Sequence, residues 1–152
     1  DIRTACQMAL DLTAEQLRLA GIEVRANLGT EPIIVHGVRG QLEQVLVNLL
    51  INARDAVSGV GSEYPRTVEM TIDRDAAQGT ARVNIRDTGA GVPEEIRSRI
   101  FDPFFTTKPV GKGVGLGLSI SYGIMRDMGG KIGLVPTEKG ADFQLDLRLA
   151  TA

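Results

Sequence analysis

The 152-residue sequence holds one cysteine, Cys6, and one histidine, His36. A lone thiol can close no intrachain disulfide and build no cysteine-based zinc site, so Cys6 reads as a small buried or half-buried hydrophobe. A lone imidazole leaves no histidine cluster for a metal, and His36 reads as a strand-end residue. No apolar run approaches the ~18 residues of a membrane span, and no signal peptide opens the chain, so no direct membrane contact is expected. Excess positive charge is missing as well. The 17 Lys and Arg stand against 19 Asp and Glu, a net charge of −2, and no nucleic-acid surface is expected. Internal repeats and low-complexity tracts are absent. What is present is ordinary for a globular protein: 43% apolar and 24% charged residues, in a length suited to one domain. The chain opens at Asp1 without Met, and the expectation is a single domain, 1–152, cut from something longer.

Residues 5–20 place Met8, Leu12, Ala14, Leu17 and Leu19 at near-helical spacing, with Gly21 as the stop. Ile22, Val24 and Ala26 alternate with polar residues, the pattern of a half-buried strand. A short apolar strand is expected at IIVH, ending in His36. Val68, Met70 and Ile72, then Ala81, Val83 and Ile85, predict an antiparallel hairpin that ends at Asp87. EEIRSRI predicts a short helix with Pro93 at its start and two acids in its first turn. A helix from about Gly115 to Met128 carries Leu116, Ile120, Ile124 and Met128, and Gly129-Gly130 ends it. KIGLV and the alternating Phe143, Leu145, Leu147 and Leu149 predict the last two strands. Period-two strands beside three amphipathic helices make an α/β two-layer sandwich with one sheet face covered.

The best-defined helix is 40–58. Leu42, Val45, Leu46, Leu49, Ala53, Ala56 and Val57 form its apolar face. Gln41, Gln44, Asn48, Asn52 and Asp55 form a second stripe. Asn is a poor interior helix former, because its amide competes for backbone bonds. Two of them at i, i+4 are either a solvated face or a set with a task of its own.

The stretch DTGAGVPEEIRSRIFDPFFTTKPVGKGVGLG, from Asp87 to Gly117, carries the chemistry. Asp87 stands where a strand ends and a glycine turn begins, so its carboxylate can accept from the exocyclic amine of a purine. Gly89 and Gly91 give the turn positive φ and let a flat ring approach; the plainer reading is an ordinary Asp-Gly turn. Gly113, Gly115 and Gly117 run into a helix, and bare amides at a helix N-terminus form an anion site for phosphates. Their spacing is not the dinucleotide G-x-G-x-x-G, and no G-x-x-x-x-G-K-[ST] loop occurs. Lys108 and Lys112 can reach phosphate oxygens as point charges, or simply be solvated. Asn48 offers an amide oxygen to a hard cation such as magnesium, which needs only one or two protein ligands when phosphates and water complete its shell. The segment between the two glycine clusters reads as a mobile lid.

Taken in order, NLLINA, DTGAG, FDPFF and GVGLGLS resemble the N, first glycine, phenylalanine and second glycine boxes of the catalytic ATP-binding domain of sensor histidine kinases. The resemblance covers essentially the whole chain, and the phenylalanine segment is most similar to the nitrogen-regulation and dicarboxylate-sensing branch. It implies the Bergerat fold, a mixed and mostly antiparallel sheet covered on one face by about three helices, with ATP and Mg²⁺ as cofactors. It also implies roles for individual residues. Asn48 resembles the magnesium ligand and a catalytic residue, Asn52 a phosphate- and ribose-side contact, and Asp87 the adenine-amine acceptor. Gly89 and Gly91 would line the base and Gly113, Gly115 and Gly117 cradle the phosphates. Asp55, Val92, Ile100, Phe101, Thr107, Lys108, Lys112, Leu116 and Leu118 would complete the nucleotide contacts. Phe101, Phe104 and Phe105 resemble anchors that tie the lid to the next domain.

Three departures from the family pattern bear on function. Related ATPases carry a water-activating Glu four residues before the first Asn, where this chain has Gln44 and an amide cannot accept a proton. Gln44 therefore points to phosphoryl transfer rather than hydrolysis. Asp55 stands where the family often has Lys, and Gly140-Ala141 where many members have Gly-Thr. The implied acceptor is a His followed by an acid on a separate dimerisation domain, with a response regulator downstream. His36, followed by Gly37-Val38, does not match it. The expected location is cytoplasmic. The alternatives are a gyrase- or chaperone-like ATPase and a non-catalytic nucleotide-binding or docking module.

Overall fold

The computed structural model describes residues 1–61, 63–107 and 117–151. Three α-helices lie among them: α1 (Ile2–Leu19), α2 (Arg39–Ser58) and α3 (Gly117–Asp127). Five strands form one sheet: β1 (Glu23–Asn27), β2 (Thr67–Asp75), β3 (Thr80–Asp87), β4 (Lys131–Val135) and β5 (Asp142–Arg148). Their order is β1-β2-β3-β5-β4, with β1 parallel to β2 and every other pair antiparallel. The helices cover one face, so the two-layer α/β sandwich read from the sequence is the fold.

The sheet's two faces follow from its period-two pattern. Val68, Met70, Ala81, Val83, Ile85, Leu145 and Leu147 are buried beneath the helices. On the other face polar side chains pair across strands: Arg82 Nε donates to Asp146 Oδ1 at 3.1 Å, and Asn84 Nδ2 to Asp142 Oδ1 at 2.9 Å. α2 is the central helix and packs against α1, α3, β2 and β3. Leu42, Val45, Leu46, Leu49, Leu50, Ala53 and Val57 on it are buried, close to the expected apolar face; Ala56 is only half-buried.

Elsewhere the structure corrects the sequence reading. α1 starts at Ile2 because the Asp1 carboxylate caps it, accepting from Arg3 N at 3.0 Å. Its buried face is Ile2, Ala5, Cys6, Ala9, Leu10, Thr13 and Leu17. Of the expected stripe only Leu17 is inside; Met8, Leu12 and Leu19 are exposed. Small side chains form much of the face that meets α2, so the largest hydrophobes marked the wrong side. Cys6 is fully buried as expected, and burial pushes its thiol up to about 12. β1 is an edge strand with all five residues exposed, not half-buried; the Arg25–Glu23 ion pair lies along it. The expected strand at IIVH reduces to an isolated bridge between Val35 and Leu149. EEIRSRI is a 3₁₀ helix, Glu94–Arg99. In α3, Ser121 and Met125 are the buried residues, while Ile120 is exposed and Ile124 and Met128 are half-buried; Leu116 lies outside the described residues.

Leu17→Ala is accordingly expected to lower unfolding free energy by ~2–5 kcal/mol, and Leu12→Ala to stay within ~0.5 kcal/mol of the parent. Urea denaturation of the two variants checks this, and equal losses would mean that α1 is rotated from the orientation described.

Candidate functional site

α2 and the turn after β3 form facing walls of a cavity of about 760 Å³. From α2 come Asn48, Asn52 and Asp55 of its polar stripe, with Ile51 and Ala56 beside them. From the turn and the 3₁₀ segment come Asp87, Gly91, Val92, Ile96 and Ile100. Thr107, Gly117, Leu118, Ala141 and Phe143 complete the enclosure. The lining is mainly apolar with a few polar groups, as in small-molecule sites generally.

Asp87 is 3% exposed. Its Oδ1 accepts from the amides of Gly89 at 2.8 Å and Ala141 at 3.3 Å. Oδ2 has no donor among the described residues, which leaves it for a ligand in the cavity. Burial raises the carboxyl above the ordinary aspartate value; the two amides pull it down, and nearby Asp142 pushes it up.

The glycines around Asp87 answer to space more than to turn geometry. Gly91 has φ +79°, whereas Gly89 does not lie in the left-handed region. Gly89 instead lies against α2, where an added Cβ would sit 2.6 Å from the Ala56 carbonyl carbon. Gly140, at φ +72°, passes behind Asp87 so closely that a Cβ would fall 1.8 Å from the Asp87 carbonyl oxygen. Gly140-Ala141 is thus part of the seat of Asp87, through that close approach and the Ala141 amide. Thr88 Oγ1 fastens the turn from outside, accepting from Thr67 N at 3.0 Å and donating to Pro65 O at 2.8 Å.

At the other end of the α2 stripe, Asn48 Nδ2 donates to Ser121 Oγ on α3 at 3.0 Å. Asp55 Oδ1 accepts from Arg54 NH2 at 2.8 Å, and Arg54 also donates to Gln16 on α1. Gln44 does not line the main cavity. It lies with Glu43, Val47 and Ile120 in a second hollow of about 410 Å³, which shares Asn48, Ile51 and Gly117 with the first.

The three phenylalanines separate. Phe101 is half-buried off the cavity wall, edge-on to Phe143 at 6.5 Å and tilted on Tyr122 at 5.7 Å. Phe105 lines the cavity under the Arg99 guanidinium, 4.7 Å from its ring centroid. Phe104 is 73% exposed and has φ +65°, the one non-glycine residue in the left-handed region among those described.

Of the expected site residues, Asn48, Asn52, Asp55, Asp87, Gly91, Val92, Ile100, Thr107, Gly117 and Leu118 therefore meet in one cavity, while Gln44, Gly89 and Phe101 stand outside its lining. Lys108, Lys112, Gly113, Gly115 and Leu116 lie outside the described residues. Ile51, Ile96, Ala141 and Phe143 were missed, though their apolar positions on elements flanking the motifs could have marked them; Ser121 carried no sequence signal.

The chain belongs to the Histidine kinase-, DNA gyrase B-, and HSP90-like ATPase family, which matches residues 37–151. Two-component sensor PprA of Pseudomonas aeruginosa is 41% identical over 150 residues, which are 99% of this chain and 16% of that protein. C4-dicarboxylate transport sensor protein DctB of the same organism is 33% identical over 131 residues, 86% of this chain and 21% of that protein. The chain thus spans under a quarter of the length of these sensor proteins. The catalytic domain of histidine kinase ThkA superposes with a TM-score of 0.83 at 32% identity, over 97% of this chain and 94% of that one. Full-length ShkA in complex with AMPPNP gives 0.83 at 29% identity, over 100% of this chain and 31% of that one. Over nearly its whole length the chain is thus similar to the catalytic ATP-binding domains of sensor histidine kinases. Among the described residues no helix is long and apolar enough to cross a membrane.

Two variants test the seat of Asp87. Gly140→Ala is expected to destabilise the fold by at least ~2 kcal/mol, from left-handed strain and contact with backbone that cannot yield. Asp87→Asn should leave the ligand-free domain as stable or more stable at neutral pH. A raised folded-state value means that ionised Asp87 withdraws stability as pH climbs through it, while the Asn oxygen can still accept both amides. Thermal melts without nucleotide read both, and a marked drop for Asp87→Asn would mean that its charge holds the fold.

Proposed function

We propose that the cavity holds Mg·ATP and presents its γ-phosphate to a histidine on a separate helical dimerisation domain of the same kinase, from which a response regulator is phosphorylated in turn. The observation that carries this reading is the seat of Asp87. Its Oδ1 is tied to backbone, and its Oδ2, with no donor among the described residues, is left for a ligand of the mainly apolar cavity that Asp87 lines, the arrangement that suits a flat ring bearing an exocyclic amine. Adenine has that amine on its Watson–Crick edge; guanine offers a carbonyl at the same place, which a carboxylate repels. Gly91 and the apolar Val92, Ile96 and Ile100 give the ring its walls.

From Asp87 the cavity follows α2 through Asp55 and Asn52 to Asn48, which places ribose and phosphates along the polar stripe. A carboxylate at Asp55 suits a ribose hydroxyl better than a phosphate, and Arg54 steadies it. Magnesium fits the Asn48 end. The described residues include no cluster of three or more His, Cys, Asp or Glu, so the metal would take one amide oxygen from the protein and the rest from phosphate and water. When bound, it neutralises phosphate charge; positioning by the α2 stripe supplies the protein's share of catalysis. Lys108, Lys112, Gly113 and Gly115 belong to this reading as phosphate contacts, and Phe104, exposed and strained, as a contact for the next domain. The ShkA structure was obtained with AMPPNP and the ThkA kinase has been seen in complex with response regulator protein TrrA, both in keeping with these roles. An ATP-dependent role puts the domain on the cytoplasmic side.

Asp87→Asn is expected to weaken ATP binding roughly tenfold to a hundredfold, the range for losing a hydrogen bond to a charged group. Calorimetric titration with ATP and with GTP measures it; an unchanged ATP affinity removes Asp87 from base recognition. Affinity should also fall on acidification, since the protonated carboxyl no longer accepts two ways, with a midpoint above the ~3.9 of a free aspartate. Asp87→Asn should flatten that profile, and a profile unmoved by the substitution would assign the titration to another group.

A further inference from the structure

Three polar or charged residues are buried among those described: Thr13, Asp87 and Ser121. Thr13 returns its hydroxyl to its own helix, donating to Ala9 O at 2.9 Å, and Asp87 is seated on amides. Ser121, 1% exposed, differs from both because its partner is a side chain on another element. Its Oγ accepts from Asn48 Nδ2 at 3.0 Å, joining residues 73 apart in sequence. The same carboxamide is pressed from a second side. Gly117, one turn before Ser121, approaches so closely that an added Cβ would sit 2.7 Å from both Nδ2 and Oδ1 of Asn48. The first turn of α3 therefore grips one amide group of α2 by a hydrogen bond and by the bare Cα of a glycine.

An asparagine amide has a broad, nearly two-fold torsional preference, and its two ends are almost the same shape. One end attracts a cation and the other repels it. We infer that Ser121 is a positioning residue, whose hydroxyl holds the Asn48 amide nitrogen so that the oxygen is presented to the divalent cation chelated by the nucleotide. This rests on the reading of Asn48 as the cation's ligand. A serine hydroxyl can bond either end of the amide, but here it accepts from Nδ2, which leaves Oδ1 for the metal, the work that outer partners of metal ligands do generally. It also explains a serine at a buried site where an apolar side chain would pack without a polar atom to satisfy.

The test is calorimetric titration of the 152-residue chain with a non-hydrolysable ATP analogue, over a series of Mg²⁺ concentrations and in chelator. Ser121→Ala removes the acceptor, Ser121→Cys keeps the volume with a poor acceptor, Ser121→Thr keeps the hydroxyl, and Asn48→Ala removes the ligand itself. The Ala and Cys variants should need roughly three- to tenfold more Mg²⁺ for the metal-dependent gain in affinity, the size of one neutral hydrogen bond. Their metal-free affinity should stay within about twofold of the parent, and Thr should restore the parent's Mg²⁺ requirement. If Asn48→Ala abolishes the Mg²⁺ gain while Ala and Cys at 121 leave it intact, the cation reading survives and the positioning role is lost. Equal weakening with and without Mg²⁺ would overturn the inference in favour of a merely structural serine. An Mg²⁺ gain untouched by Asn48→Ala would overturn the cation reading and this inference with it.

Discussion

A carboxylate at 3% exposure is the constraint around which this domain is built. Removing a charge from water is unfavourable unless the lost hydration is replaced, and Asp87 replaces part of it with two backbone amides on a single oxygen. Those amides come from chain segments far apart in sequence, Gly89 in the turn itself and Ala141 at the head of β5. The sheet must therefore bring β3 and β5 side by side, as its antiparallel register does. The turn must also double back tightly, and the chain before β5 must pass within contact of the Asp87 carbonyl. Gly140 lies against the Asp87 carbonyl and Gly89 against Ala56 of α2, and only glycine permits either approach.

The second wall is tied to the first through α2. Its apolar face fills the space above the sheet, and the neighbouring stripe of Asn48, Asn52 and Asp55 opens onto the cavity. Gly89 lies directly against Ala56, so the turn that seats Asp87 is registered on the helix that carries the asparagines. On the reading proposed above, base recognition at one end and phosphate handling at the other therefore rest on elements packed directly against each other. Phe104, the one non-glycine residue at positive φ among those described, falls on the segment that borders these elements rather than in them.

The sequence made the sheet and α2 legible because both obey simple periods: alternation marked Val68–Ile72 and Ala81–Ile85, and a 3.6-residue repeat marked Leu42–Val57. It misled where burial depends on what an element packs against. On α1 the close helix pair selects Ala5, Cys6 and Ala9, so Leu12 and Leu19 face outward; on α3 it selects Ser121 over Ile120. β1 alternates like a covered strand, yet at the sheet edge all five of its residues are exposed. The site was legible as motifs and not as geometry. Asp87 and the α2 asparagines were found from type and spacing, whereas the contacts Gly89–Ala56, Gly140–Asp87 and Asn48–Ser121 join segments that no local pattern relates.

The placement of Gln44 changes the reasoning on hydrolysis without reversing its direction. Gln44 stands a turn beyond the cavity in the second hollow, so its lack of basicity cannot by itself decide what happens to water near the phosphates. Of the described residues lining the main cavity, only Asp55 and Asp87 carry carboxylates. Asp87 has one oxygen tied to backbone and belongs to the base-recognition end in the reading proposed above. Asp55 Oδ1 accepts two guanidinium hydrogen bonds from Arg54, which engage that oxygen. Asn48 and Asn52, which on that reading flank the phosphates, bring only amides, and an amide takes up no proton. A domain so arranged can bind and orient a triphosphate while leaving the attacking group to be supplied from outside. That division of labour suits transfer to an acceptor on another domain better than turnover by water.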